Sequence, residues 1–192
     1  MTATPRQAPG ELEIVRAFVN TRDVEEGTDA LATPEDLRDW LAAQGLLERD
    51  APVEASDVGL AHDVREALRA VLLCNNDGCD PAPGAVRVLN RAGAQARLAV
   101  RFDDEGTAHL APGVGGVTGA LGRLLAIVYG SHREGSWERL KVCRSDACRW
   151  AFFDESKNHS RHWCSMAACG SQSKARAYRR RQAGLRAARG NA

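Results

Sequence analysis

Hydrophobic positions in the first 138 residues recur mainly at helical spacing. Between residues 11 and 20 the apolar side chains follow one another at steps of three and four, the pattern of an amphipathic helix. A second helix is predicted from Thr33, a good N-cap residue, with Pro34 in its first position and an end near Gly45. The amino-terminal part therefore begins as a helical structure.

The same spacing predicts three more helices. One begins at Ser56 and ends in the turn-rich segment 74–78, a shorter one covers about 84–94, and an apolar one covers about 116–129. Residues 97–110 change to an alternating pattern around a turn, which predicts a β-hairpin. Residues 130–136 form a polar joint. We predict an α+β protein with a mostly helical domain at 1–135, containing one small hairpin, and a second domain at 136–192.

Composition places the chain among globular proteins. Of its 192 residues, 44% are hydrophobic and 27% charged, which is enough to build a core. No apolar run reaches the roughly 18 to 20 residues that span a bilayer, and the amino terminus lacks the pattern of a secretory signal. We expect a cytoplasmic protein without a membrane partner. In that compartment, grouped cysteines bind metal more often than they form disulfides.

Charge is distributed unevenly along the chain. Residues 139–192 contain thirteen Lys or Arg and three Asp or Glu, a net charge of +10, whereas residues 1–138 carry a net charge of −9. Arginine-rich composition alone would not separate the charges in this way. The carboxy-terminal part is therefore expected to meet a polyanion.

Four cysteines in the second domain have the spacing of a zinc site. Four residues separate Cys143 from Cys148, four separate Cys164 from Cys169, and fifteen lie between the pairs. Four thiolates close a tetrahedral site around one structural Zn²⁺ and leave no position for a reactive water, so we expect no enzyme activity. A domain of about fifty residues also needs such a contribution to its stability.

The residues around the cysteines predict a treble-clef-like finger. Leu140–Val142 and 150–153 are short strand patterns, and the second cysteine pair begins a helix that continues into the basic carboxy-terminal segment. Cys74 and Cys79 share the spacing but have no second pair, which favours cysteines at a helix end and in a loop over metal ligands. His159 and His162 could replace a ligand, but with four cysteines present we expect them at the surface.

The segment after Cys169 contains many cations and no acid. Cations on most of a helix surface are suited to phosphate, and Gln172 could read adenine. A solvated tail is the alternative explanation. The predicted nucleic-acid contacts are Arg161, His162, Gln172, Lys174, Arg176, Arg179 and Arg180.

The sequence is compatible with several kinds of binding partner. DNA is the leading one, and RNA or the ribosome is the alternative, with the aromatic residues at 150, 152, 153, 163 and 178 as stacking surfaces if exposed. A third interpretation is a protein-interaction module that needs zinc only to fold. The sequence also leaves open a homodimer and a small-molecule effector of the amino-terminal domain.

The finger resembles the CGNR zinc finger. The resemblance rests on the cysteine pairs, on Trp150, Phe152, Phe153 and Asp154, on the segment 161–166, and on Cys169-Gly170 before a basic helix. The amino-terminal part, with segments 18–23 and 37–41, resembles the ABATE domain. Together they imply a bacterial transcription regulator of the stress-induced type, with the finger as its DNA-binding element.

One departure from this resemblance concerns the motif after which the finger is named. The expected Cys-Gly-Asn-Arg is Cys-Gly-Ser-Gln at positions 169–172. The cysteine ligands are kept, so the finger fold should be kept. Gln172 can donate and accept hydrogen bonds but does not bind phosphate as a cation, so the contact that the arginine would make is not carried over.

Overall fold

The computed structural model describes residues 7–173, and within this range it is an α+β protein. In these residues, five α-helices accompany three separate two-stranded antiparallel sheets. None of the helices in residues 7–173 combines the length and the apolar composition that crossing a bilayer requires. The helices are α1 (Leu12–Val19), α2 (Pro34–Ala43), α3 (Ala55–Asp77), α4 (Pro83–Gln95) and α5 (Gly116–Arg133). The strands are β1 (Arg22–Asp23), β2 (Thr28–Asp29), β3 (Ala99–Phe102), β4 (Ala108–Ala111), β5 (Leu140–Val142) and β6 (Ala151–Phe153).

Helix ends follow the local chemistry that the sequence predicts. Thr33 caps α2 by accepting a hydrogen bond from the Asp36 amide, and the Asp36 carboxylate accepts one from the Thr33 amide. Helix α3 begins at Ala55, one residue before the predicted start, because Glu54 and Asp57 form the equivalent pair of contacts. It ends at Asp77 and is capped by Gly78, whose φ of +64° is a left-handed conformation that glycine adopts readily.

One hydrophobic core extends from the amino-terminal helices into the second predicted domain. Phe18, Leu68 and Leu121, from α1, α3 and α5, lie in its centre. The same cluster contains side chains from the β5–β6 hairpin and the 3-10 turn before it, namely Trp137, Leu140, Val142, Ala151 and Phe153. The boundary near residue 135 stays a prediction, but the hairpin is packed against the helices.

The joint between the two predicted domains is shorter than expected. Helix α5 continues through Ser131 to Arg133, whereas the sequence pattern predicts an end near Tyr129. The Ser131 side chain is buried and donates to the Val128 carbonyl, so this polar residue continues the helix. Gly135, at φ +72°, then turns the chain.

A small ladder between α1 and α2 was not predicted, because each strand has only two residues. Arg65, fully buried on α3, fixes this region by donating to both carboxylate oxygens of Asp29 at 2.7 and 2.6 Å and to the Thr21 hydroxyl. Burial alone would raise the pKa of Asp29, but the hydrogen bonds and charge of Arg65 lower it overall. This ion pair holds the loop that follows α1 and starts with Asn20.

Candidate metal centre and nucleic-acid interface

The four cysteines of the predicted finger converge in one place. Their sulfur atoms all lie within 4.8 Å of one another. Cys148 Sγ is 3.6 Å from Cys164 Sγ, which is 3.8 Å from Cys169 Sγ. A tetrahedral ion with Zn–S bonds of about 2.3 Å separates its sulfurs by about 3.8 Å. The cluster is therefore consistent with one structural zinc ion, as the spacing predicts.

The first cysteine pair is held by a tight turn between β5 and β6. Cys143 directly follows β5, and the Ser145 carbonyl accepts hydrogen bonds from the amides of Cys148 and Arg149. Amides of Ser145 and Cys164 donate to the Cys143 sulfur. Arg149 has a φ of +51°, and this left-handed residue directs the chain back into β6. The hairpin thus places two sulfurs on the same side.

The second pair lies at the start of a helical segment. Cys169 belongs to the π-helical turn Met166–Gly170, and Ser165 caps this turn by accepting from the Ala168 amide. Residues 171–173 continue as helix. The predicted onset of a helix at this cysteine pair is therefore confirmed up to residue 173, and its predicted course through residue 178 lies outside the described residues.

The electrostatics of the cluster favour a bound cation. Hydrogen bonds from the Cys148 and Cys164 thiols lower the pKa of Cys143 to about 2. The hydrogen bond to Cys143 raises the pKa of Cys148 to about 12 and also raises that of Cys164, while burial raises the pKa of Cys169. A divalent cation would compensate the negative charge of the thiolates that bind it.

A buried ion pair supports the loop between the two cysteine pairs. Lys141 Nζ lies 2.9 Å from Asp154 Oδ2 and donates to the His159 carbonyl at 2.5 Å. Asp154 also accepts from the amides of Ser156 and Arg161. Burial would raise the pKa of Asp154, but the hydrogen bonds from Ser156 and Lys141 lower it to about 2. Lys141 and Asp154 thus fix the segment that leads to Cys164.

Asparagine side chains from the helical part cover both outer edges of the finger hairpin. On β6, Asn20 accepts from the Ala151 amide at 2.7 Å and donates to its carbonyl at 2.9 Å. On β5, Asn75 donates to the carbonyls of Trp137 and Leu140, and Asn76 donates to that of Val142. These contacts satisfy backbone groups that a two-stranded sheet would otherwise leave unpaired.

Two further contacts join the helical part to the residues near the cysteines. Arg69 donates to the Arg149 carbonyl at 2.7 Å. Asn76 also contacts His162, whose Nδ1 lies 2.6 Å from Asn76 Oδ1 and whose carbonyl accepts from Asn76 Nδ2. The sequence pattern does not identify Asn20, Arg69, Asn75 or Asn76 as contacts of the finger. The three asparagines stand at or near the ends of helix patterns, whereas Arg69 lies inside one and gives no signal in the sequence.

The predicted nucleic-acid contacts lie in three settings. Arg161 and His162 are half-buried, and one ring nitrogen of His162 is engaged by Asn76. Gln172 is exposed on the helical segment after the cluster. His159, considered as a substitute ligand, is exposed and is not part of the cysteine cluster. Four predicted contacts lie outside the described residues: Lys174, Arg176, Arg179 and Arg180.

Cys74 and Cys79 occupy the predicted helix end and loop, and the structure joins them in a disulfide. Cys74 is half-buried in the last turn of α3, and Cys79 is exposed. Their spacing does not distinguish a disulfide from two free thiols, so this pairing was not predicted. They are not part of the metal cluster found among residues 7–173.

Comparison with known families covers most of the chain. The sequence model of the ABATE family, described as "Putative stress-induced transcription regulator", matches residues 13–129, more than half of the chain. The model of the CGNR zinc finger matches residues 139–182. No curated protein matches the chain significantly. The chain therefore belongs to the ABATE family and has a CGNR zinc finger after its ABATE region.

Proposed function

We propose that the protein is a zinc-stabilised, DNA-binding transcription regulator without enzyme activity. The observation that carries this proposal is the position of the cysteine cluster. It anchors the start of the segment in which positive charge is concentrated, and residues 174–192 contain seven Lys or Arg and no acid. A concentration of cations without acids is suited to neutralising a phosphate backbone. The family descriptions, a transcription regulator and a zinc finger, agree with this proposal.

The described part of the finger uses several of its cations internally. Lys141 is buried against Asp154, and Arg139 donates to the Asp154 carbonyl. Arg144 pairs with Asp77, and Arg149 pairs with Asp146. We therefore expect the phosphate contacts mainly from residues 174–189, supplemented by Arg161, the Nε2 atom of His162 and Gln172.

Burial of the aromatic residues at 150, 152, 153 and 163 weighs against the RNA alternative, and the fifth predicted stacking residue, Tyr178, lies outside the described residues. Phe152 and Phe153 are only 2% and 7% exposed, because they pack within the finger and against the helices. Trp150 and Trp163 are half-buried against the cysteine cluster. Bases cannot stack on rings that the core already covers.

Salt dependence of binding tests the proposal. If about six phosphates are neutralised, the logarithm of the association constant for duplex DNA should fall with the logarithm of salt concentration with a slope of about −5. The triple variant Arg176→Gln, Arg179→Gln, Arg180→Gln should reduce this slope to about −2.5. The matched control replaces three exposed arginines of the helical part, Arg87, Arg101 and Arg133, and should leave the slope unchanged.

Two results would reject DNA as the partner. One is the absence of binding to any duplex in a selection from random DNA. The other is structured RNA displacing the selected duplex at fixed salt. A protein-interaction role would instead leave the melting temperature of the finger unchanged by any nucleic acid.

The helical part would supply regulation through an effector or through a homodimer. A half-open cleft of about 1000 Å³ lies between the start of α1, the end of α2, β4 and α5. It is the site where we propose that an effector binds. Sedimentation of the purified chain with and without DNA would test the homodimer.

A further inference from the structure

The disulfide between Cys74 and Cys79 lies outside the metal cluster and has no part in the function proposed above. We propose that these cysteines form a redox modification site, which exchanges with low-molecular-weight disulfides and controls how firmly the finger hairpin is held. The inference adds a chemical signal to the proposed function. Thiol–disulfide exchange and the loosening of the hairpin that follows it do not require DNA binding.

The ring that the disulfide closes contains the residues that hold the finger. Between the two cysteines lie Asn75, Asn76, Asp77 and Gly78. Asn75 donates to the Trp137 and Leu140 carbonyls at 3.0 Å each. These two bonds hold the strand whose end leads into the first zinc ligand.

The next two residues of the ring contact both arms of the metal site. Asn76 donates to the Val142 and His162 carbonyls at 2.8 and 2.9 Å, and Asp77 lies 2.5 Å from the Arg144 guanidinium. Val142 and Arg144 flank Cys143, and His162 is two residues before Cys164. The six-residue segment that the disulfide closes therefore contacts the residues on either side of Cys143 and a residue shortly before Cys164.

The two sulfurs are suited to exchange because their exposure differs. Cys79 is exposed, so its thiolate can attack a low-molecular-weight disulfide, form a mixed disulfide and release one thiol. The Cys74 thiolate then attacks the Cys79 sulfur and releases the second thiol. In sum, the protein dithiol is oxidised to a disulfide, and one external disulfide is reduced to two thiols.

Opening the ring should loosen the end of α3. The last carbonyls of a helix have few partners, and here the Gly78 amide closes the turn on the Cys74 carbonyl at 2.7 Å. The covalent ring restricts the conformations that this turn can adopt. Without it, the turn frays more readily, and Asn75 and Asn76 leave the hairpin edge for a larger fraction of time.

The experiment uses full-length, zinc-loaded protein equilibrated in glutathione buffers of increasing oxidised fraction. Alkylation and mass spectrometry should show one dithiol per chain converting to a disulfide, while zinc stays at one ion per chain. Hydrogen exchange should show that the amides of Cys143 and Arg144 are about tenfold less protected in the dithiol form. These amides donate to the Trp150 and His162 carbonyls within the hairpin and loop.

Two variants keep the test decisive. Cys74→Ser with Cys79→Ser should show the dithiol-form protection in every buffer. Asn76→Ala, which keeps the disulfide, should lose the same protection in the oxidised form. Equal protection in both redox states, or oxidation that releases zinc before the pair reacts, overturns the inference. If amide protection depends on the redox state but the protein does not bind DNA, only the proposed function is rejected. If the protein binds DNA but amide protection is the same in both redox states, only this inference is rejected.

Discussion

Asn20 and Ala151 are joined by two hydrogen bonds, in which one side-chain amide takes the place of a neighbouring strand along β6. We expect Asn20→Ala to lower the free energy of unfolding by about 2 to 3 kcal/mol, because it leaves a backbone donor and acceptor of the hairpin without partners. Urea denaturation of the zinc-loaded protein measures this change.

The control for that experiment is Asn90→Ala, an exposed amide on α4, which should change the free energy of unfolding by less than about 0.5 kcal/mol. Equal effects of the two substitutions would show that the Asn20 contacts contribute nothing specific.

The buried pair Lys141–Asp154 should be sensitive to the loss of either partner. Lys141→Met leaves the Asp154 carboxylate buried beside no cation, and we expect a loss of about 3 to 5 kcal/mol. The double variant Lys141→Met, Asp154→Leu should recover part of this loss. If the loss in the double variant equals the sum of the losses in Lys141→Met and Asp154→Leu measured singly, the two residues act independently.

The same carboxylate predicts a pH dependence. Its pKa is lowered to about 2 in the folded protein, so the folded state favours the ionised form. The stabilisation is fully present above the unfolded pKa of about 3.9 and is lost as the pH falls through about 2. The difference in unfolding free energy between the wild type and Asp154→Asn should therefore be constant from pH 8 to about 5 and shrink below about pH 4.

Zinc binding should release about three protons at neutral pH, because Cys143 is ionised in the free cluster whereas the pKa values of the other three thiols are raised. The apparent zinc affinity should consequently fall as the pH is lowered from 8 to 6. Calorimetry in two buffers with different ionisation enthalpies counts the protons. Release of nearly four would mean that the thiols ionise independently with an ordinary pKa of about 8.5, and release of fewer than two would mean that more than one thiol is already ionised in the free cluster.

Gln172→Arg tests the departure from the family motif. The side chain is exposed after the cluster, so an arginine there could reach phosphate without disturbing the finger. We expect DNA binding about three- to tenfold tighter in low salt and a salt slope steeper by about 1. Gln172→Glu should weaken binding by a similar factor, and unchanged affinity in both variants would place residue 172 outside the interface.

The features that the sequence predicts are those encoded by neighbouring residues. The cap at Thr33, the helix stop at Gly78 and the two cysteine pairs act through contacts close in the chain or through a fixed ligand spacing. Periodicity therefore located the helices within a few residues and the finger hairpin almost to the residue.

What the sequence does not predict depends on long-range placement. Asn20 is 131 residues from Ala151, and Asn76 is 86 residues from His162. An asparagine near a helix end has many local uses, and its role at a distant strand edge is visible only after the helices are packed. The buried Arg65–Asp29 pair is hidden for the same reason, since burial of a charge cannot be read from an isolated helix pattern.

The cover on the hairpin edges has a consequence for the order in which the protein matures at the ribosome. Asn20, Asn75 and Asn76 are synthesised before any residue of the finger. The helical part can therefore begin to fold first and present these side chains to the emerging hairpin, which then completes the shared core. Zinc binding then follows on a hairpin whose outer edges are already covered, so a newly made chain exposes the edges of β5 and β6 only briefly.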